Sequence, residues 1–358
     1  MEEKKKFKFD VIIGNPPYQE EQESTDFEES KKNYAPSIYN LFMDAAYEIG
    51  NKVELIHPAR FLFNAGNTPK AWNKKILEDS HIKVVFYEPD SDKVFPGLQS
   101  PIKGGVAVTY RDNLKQFGAI GIFTQYSELN SIIKLIHNNP DFKSLMDIVY
   151  SRTSYRLTDK LHHDYPEAIT QLSKGHAYDM ASNIMERLPY VFLKEKPVAD
   201  DENYIRILGR EGNHRTYRYI KRSYVRPAEN LDNYKVCLPQ AQGNGIFGEK
   251  ISKPFVEPPR TGTTETFISI GNFKNKVEAD NLCKYVCTKL ARALLGVLKV
   301  TQNGNKPVWA YVPLQDFTSH SDIDWSQSIP DIDKQLYKKY GLSQEEIDFI
   351  ESHVKEMA

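Results

Sequence analysis

The run Phe9-Asp10-Val11-Ile12-Ile13, closed by Gly14 and then by Asn15-Pro16-Pro17, is the strongest constraint on how this chain can fold. A short apolar run bounded by breakers reads as a buried strand. Two consecutive prolines have no amide hydrogen for a strand ladder, so the chain must leave the sheet at that point. Beyond the prolines the segments alternate in type. The polar, acidic residues 19–33 read as a loop. Ser37 opens a helix with Ile38, Leu41, Phe42, Ala45, Ala46 and Ile49 on one face and Gly50 past its end. Val53 to Ile56 is a second strand, closed by His57-Pro58. Trp72 to Leu77 is helical, and Ile82 to Tyr87 is a third strand. Lys103-Gly104-Gly105 leads into a fourth, Val106 to Tyr110. Strands alternating with helices imply an α/β fold around a largely parallel, partial Rossmann-like sheet.

Past residue 120 the pattern turns helical, and residues 195–203 mark a boundary. Beyond it lie short β-like runs at Tyr204–Leu208, Tyr217–Ile220, Tyr234–Leu238 and Thr266–Ile270, which imply a mixed α/β region. Residues 277–299 form one long amphipathic helix, with Leu282, Val286, Leu290 and Leu294 as core positions. Two short helices follow Asp331, around Tyr340-Gly341-Leu342-Ser343, and Ser343 with Glu346 makes a capping pair. The expected organisation is a first domain at 1–145, a helical connector at 146–200, a recognition domain at 201–325 and a helical tail at 326–358. The length of 358 residues gives room for about two such domains. Three cysteines, Cys237, Cys283 and Cys287, are too few and too odd in number for a disulfide framework and suit a reducing cytoplasm. Cys283 and Cys287 read as two buried small hydrophobes, not a metal pair. No apolar run approaches membrane-spanning length, and Met-Glu-Glu-Lys-Lys-Lys does not read as a signal peptide.

Asn15-Pro16-Pro17-Tyr18 is the segment that carries chemistry. The Asn15 side-chain carbonyl and the Pro16 backbone carbonyl are two acceptors. The prolines hold them by fixing φ and biasing the residue before each toward extended backbone. Tyr18 adds a flat ring. Such a set suits an exocyclic amine on a flat heterocycle. Accepting both amino hydrogens pulls the nitrogen toward tetrahedral geometry and localises its lone pair, and a base in a duplex reaches such a site only when flipped out. The alternative is a stiff strand-ending turn in which Tyr18 merely packs.

Residues 9–19 (FDVIIGNPPYQ) resemble the target-base motif of adenine-specific DNA methyltransferases, in the branch fused to type IIG restriction enzymes. The resemblance extends through residues 38–50 (IYNLFMDAAYEIG), 53–63 (VELIHPARFLF) and 83–110, with its Gly104-Gly105-Val106. It continues in residues 203–210, 214–222, 298–302, 308–317 and 336–357. It implies a site-specific adenine methyltransferase component of a prokaryotic, cytoplasmic restriction-modification system. Asn15, Pro16, Pro17 and Tyr18 would be catalytic, S-adenosylmethionine the donor and double-stranded DNA the partner. His57 and Tyr110 are candidates for the base pocket. Relatives often carry an aromatic pair after Gly-Gly-Val-x, where this chain has Val108 and Thr109. The family's donor-binding glycine-rich turn precedes the target-base motif and is not found ahead of it here. The expectation is therefore that most cofactor-binding residues are absent from this chain, which is then either a fragment of a longer enzyme or a subunit whose missing half is another polypeptide. The alternative from a different class is a non-catalytic DNA-recognition module.

Residues 203–226 gather Arg206, Arg210, Arg215, Arg218, Lys221, Arg222 and Arg226 against Glu211 alone, in a chain whose net charge is −1. Tyrosines interleave. Arg and Lys on phosphates supply most non-specific DNA affinity, so this stretch is the expected DNA contact. Gln240 and Gln242 are candidates for base reading, because Gln can pair bidentately with adenine. They read equally well as turn residues.

Overall fold

Strand β1 (Phe9–Gly14) ends where the prolines begin and pairs in parallel with β2 (Gly50–Pro58), Gly14 standing opposite Leu55. The computed structural model describes residues 8–19, 36–63, 67–97, 101–102, 104–198 and 203–357. Most of the expected acidic loop, Lys103 and the middle of the boundary at 195–203 lie outside the described residues. Helix α1 (Tyr39–Ile49) returns the chain from β1 to β2, and α2 (Lys70–Glu78) leads toward β3 (Ile82–Glu88). Strand β4 (Val106–Asp112) then inserts between β2 and β3, giving the order β1-β2-β4-β3. It runs antiparallel to both neighbours. The sheet is therefore mixed, not largely parallel: β3 and β4 are joined by a loop instead of a helical crossover, which lets the chain reverse.

One face of this sheet is covered. Val53, Leu55 and His57 alternate inward along β2, and Met43 and Ala46 of α1 with Trp72 and Ile76 of α2 close over them. The rotation of α1 differs from the sequence expectation. Of the six residues assigned to its inner face, Ala46 is buried, while Leu41, Phe42 and Ile49 are exposed. Tyr39 sets the rotation by packing among His57, Phe61 and Trp72, with ring centroids 5.9–6.3 Å apart. Met43 and Ala46 share the buried side with Tyr39, which leaves Leu41, Phe42 and Ile49 on the other flank.

The chain divides into two compact units at Asn130, within α3 (Ser127–His137). Residues expected as connector, recognition region and tail all fall in the second unit. It holds a two-stranded ribbon of β6 (Arg156–Leu157) and β9 (Val225–Arg226), and short helices α4 (Asp159–Asp164), α5 (Ala168–Gln171) and α6 (Ile184–Arg187). A three-stranded sheet has the order β12-β7-β8, from β7 (Tyr204–Glu211), β8 (His214–Lys221) and β12 (Thr261–Thr263). A four-stranded sheet has the order β11-β10-β13-β5, from β5 (Val149–Tyr150), β10 (Tyr234–Pro239), β11 (Phe255–Glu257) and β13 (Phe267–Phe273). The long helix expected at 277–299 is two, α7 (Lys276–Cys287) and α8 (Lys289–Gly296). Thr288 breaks it: its backbone is extended and its hydroxyl caps the second helix at Ala291 N. The tail forms α9 (Ile329–Tyr340) and α10 (Gln344–His353), divided by left-handed Gly341 and the Ser343–Glu346 capping box, as the sequence implied. No helix among the described residues is long and apolar enough to cross a membrane.

The open face of the first sheet carries Val11 and Ile13, 55% and 78% exposed, and Phe86. A flat apolar strand with an unpaired edge favours association between chains. Replacing Val11 and Ile13 together with Lys should lower the scattering mass of concentrated protein and leave the melting temperature nearly unchanged. Equal association by the variant would show that this face is not adhesive.

Candidate functional site

Asn15 to Tyr18 lie immediately past the C-terminal end of β1. The segment is pinned at its far end: Ile38 N donates to Tyr18 O at 3.3 Å, and Gln19 bridges to Ser37. Asn15 and Pro17 are exposed, whereas Pro16 and Tyr18 are half-buried. Tyr18 packs against the core that holds Tyr39 and Leu55. Burial raises its phenol pKa. The Asn15 side chain opposes that rise but does not close a well-formed hydrogen bond to the buried hydroxyl. The Asn15 amide is thus a solvent-facing acceptor beside a ring held in place, on a backbone fixed by two prolines.

His57 is fully buried. Its Nδ1–H donates to Pro58 O at 3.2 Å, so Nε2 is unprotonated and accepts the Thr109 hydroxyl at 2.8 Å. Burial pushes its pKa down to about 4. The ring stacks on Tyr39 and ties β2 to β4, so it is a neutral structural histidine and not an exposed wall of a base pocket. Tyr110 also lies away from the motif. It stands level with Glu54 and so with Ile13, on the sheet face opposite the one against which Tyr18 packs. Its hydroxyl donates to Asp112 Oδ2 at 3.0 Å. Strand alternation decides this: Thr109 points into the core, so Tyr110 points out.

Two features stand at this sheet end, a glycine pair that the sequence shows and an aromatic group that it does not. Gly104 and Gly105 have φ of 87° and 80°. A Cβ on Gly105 would come within 2.4 Å of Glu88 O, and one on Gly104 within 2.9 Å of Arg60 Cγ. The two glycines let the chain enter β4 between those neighbours. Beside them Phe63, Tyr87 and Phe123 form an edge-to-face triangle, with centroids 5.3–5.6 Å apart. Phe63 remains 38% exposed. Phe123 joins from beyond the fourth strand, so the grouping has no local sequence signal.

In the second unit three of the seven expected DNA-contacting cations, Arg206, Arg218 and Arg222, are already paired with carboxylates. Arg206 donates to Glu257 Oε2 at 2.7 Å and lies over the Tyr217 ring. Arg218 pairs with Glu211 and donates to Tyr217 O. Arg222 makes a two-pronged bond to Asp232, at 2.7 and 2.6 Å. Glu257 and Asp232 lie outside the basic window, so the sequence count overstates its free charge. Arg210 is exposed and held by Asn213 Oδ1. Arg215 is exposed with its guanidinium 3.7 Å from the Phe255 ring centroid, and Lys221 sits over Tyr224. Gln240 and Gln242 are both buried. Gln240 Nε2 donates to Asn303 and Asn305, and Gln242 Oε1 accepts from Ser252 N. Of their two readings, the geometry matches that of turn residues.

The Gly243-Asn244-Gly245 turn does not fit a nucleotide-type donor. Its amides at Asn244 and Gly245 already bind Glu249, whose carboxylate pairs with buried Lys299 at 2.7 Å, and no helix opens there. Backbone N–H groups that are already satisfied leave no cradle for a ligand.

The neutral, buried His57 has a consequence for stability. As pH falls from 6.5 toward 4, the unfolded chain takes up a proton here that the folded chain refuses, so stability falls. Below about 4 both forms are charged and the loss levels off. The whole effect is on the order of 3 kcal/mol. His57→Gln should flatten this part of the pH dependence of the first unit, measured by urea unfolding with hydrogen exchange in β2. An unchanged slope would assign the effect to other groups.

Comparison with known proteins bears on the first unit. An uncharacterized adenine-specific methylase of Mycoplasma pneumoniae is 34% identical over 122 residues, covering 34% of this chain and 27% of that protein. The solved type IIG restriction endonuclease BpuSI aligns at 10% identity and TM-score 0.33, covering 90% of this chain and 50% of the other. The type IIL restriction-modification enzyme MmeI, solved in complex with DNA, aligns at 10% identity and TM-score 0.33, covering 96% and 56%. The chain thus spans about a quarter of the curated relative and about half of the solved ones. Over residues 1–95 it matches the model of the Eco57I restriction-modification methylase family.

Proposed function

We propose that this chain is a component of a site-specific DNA adenine methyltransferase in a restriction-modification system. The first unit presents the amine of a flipped adenine, and the second binds the duplex. The observation that carries this reading is the rigid Asn15-Pro16-Pro17-Tyr18 turn past the end of β1, inside the segment that matches the methylase family. Asn15 Oδ1 and Pro16 O accept the two amino hydrogens of adenine, and the Tyr18 ring lies against the base. With both hydrogens held, the nitrogen lone pair is directed out of the ring plane and the excess proton passes to water. When bound, S-adenosylmethionine supplies the electrophilic methyl group.

A second reading has the chain recognise DNA without transferring methyl groups. Expression together with a polypeptide that supplies the donor-binding half, in a host free of adenine methylation, followed by sequencing that detects N6-methyladenine, separates the two. Under the first reading one sequence motif becomes methylated. Asn15→Ala then reduces the rate about 10²–10³-fold, as loss of one preorganised group does, while DNA binding persists. Near-normal methylation by Asn15→Ala would remove Asn15 from the site. DNA binding by the wild-type chain without any methylation would favour the second reading.

A further inference from the structure

An open cleft of about 590 Å³ lies over the β6–β9 ribbon of the second unit. That volume falls within the range of small-molecule sites, about 300–1,000 Å³. Four of its side chains, Arg156, Asp159, Tyr178 and Arg226, are arranged in an unusual way. Arg156 and Arg226 stand directly opposite each other across the ribbon, a like-charge pair that destabilises an antiparallel ladder unless something neutralises it. Arg156 is neutralised by Asp179 at 2.9 Å. Arg226 is exposed, and among the described residues its side chain makes no ion pair. In the wall, Tyr178 keeps 38% of its surface exposed although its ring is immobilised. Its hydroxyl donates to Asp159 Oδ1 at 2.7 Å, and His162 meets it edge-on with centroids 5.0 Å apart. The bond to Tyr178 leaves Asp159 Oδ2 with lone pairs for a donor in the cleft.

A free guanidinium, a fixed open aromatic face and a carboxylate oxygen with spare capacity match the three parts of one nucleotide. We propose that this cleft binds a nucleotide: Arg226 holds the phosphate, Tyr178 stacks on the base and Asp159 accepts from an exocyclic amine. The nucleotide comes from an unstacked strand or from the free pool. The assignment rests on the DNA-binding reading only for the first source. Thymine has no exocyclic amine, so the cleft prefers adenine, guanine or cytosine to thymine.

Two probes test the full-length chain: fluorescent twelve-nucleotide single strands, oligo-dA and oligo-dT, and AMP as competitor. Oligo-dA should bind more tightly than oligo-dT. Arg226→Ala should lower the log–log salt slope for oligo-dA by about 0.7, the value for one phosphate contact on a single strand, and Arg226→Lys should keep it. Tyr178→Ala should weaken binding about tenfold, the scale of one stacked base, and Tyr178→Phe should not. Asp159→Asn should narrow the dA-over-dT preference. Displacement of the strand by AMP at similar concentration identifies a free nucleotide as the source, and failure to displace it identifies nucleic acid. Oligo-dA binding with the wild-type slope and affinity in both Arg226→Ala and Tyr178→Ala would overturn the site. So would no binding of either probe, and if a duplex then still binds in a manner lost in Arg215→Ala, the DNA-binding reading stands without this cleft.

Discussion

A proline nitrogen carries no hydrogen, and this fact organises the first unit. Strand β1 can share its ladder with β2 as far as Gly14 opposite Leu55 and no further. The chain must turn out of the sheet with two fixed φ angles, and its first free anchorage is the Ile38 amide on Tyr18 O. Asn15 is therefore presented, whereas the Tyr18 hydroxyl is buried. Asn15 lies in solvent beside a ring that the core holds. Replacing Pro16 or Pro17 with an ordinary residue would give the turn a donor and several alternative conformations, and the two acceptors would lose their fixed spacing.

Behind that turn the core resists adjustment for a second reason. His57 is held neutral between a backbone carbonyl and Thr109, and Tyr39 stacks on it. Both imidazole nitrogens are satisfied, so the buried polar group costs little. Removing either partner would leave a lone polar atom in an apolar aromatic cluster. The same cluster fixes the rotation of α1, which is why its aliphatic stripe at Leu41, Phe42 and Ile49 faces outward.

The fold is legible in the sequence where the signal is local. Breakers place the ends of β1 and β2, and the capping pair at Ser343 places α10. Nearly every strand of the second unit that β-like runs imply lies in an observed strand. Legibility ends where the outcome depends on contacts distant in sequence. The reversal of β4 depends on which neighbour it meets across a loop. Thr288 is hidden inside an uninterrupted apolar period, because a cap and an ordinary helical threonine look alike in sequence. The candidate site is legible as a four-residue motif with its mechanism. Its surroundings are not. Chain proximity suggests Tyr110, and strand alternation turns it to the other face, whereas Phe63, Tyr87 and Phe123 converge from three separate segments.

The same distinction governs charge in the second unit. A basic stretch in sequence counts cations without counting the carboxylates that folding brings to them. Asp232 takes both prongs of Arg222, and Glu257 takes Arg206 together with the Tyr217 hydroxyl. A guanidinium committed to a carboxylate in this way offers a phosphate little, because contact requires breaking a charge-assisted bond that is already made. The cations able to meet an anion are those that folding leaves without a carboxylate: Arg210 beside the Asn213 amide, Arg215 over a ring, Lys221 near one and Arg226 at the cleft. They are not the densest part of the run. The cationic surface left open in this unit is therefore set by where acidic partners are missing, and it lies along β7 and β8 and at the β6–β9 ribbon.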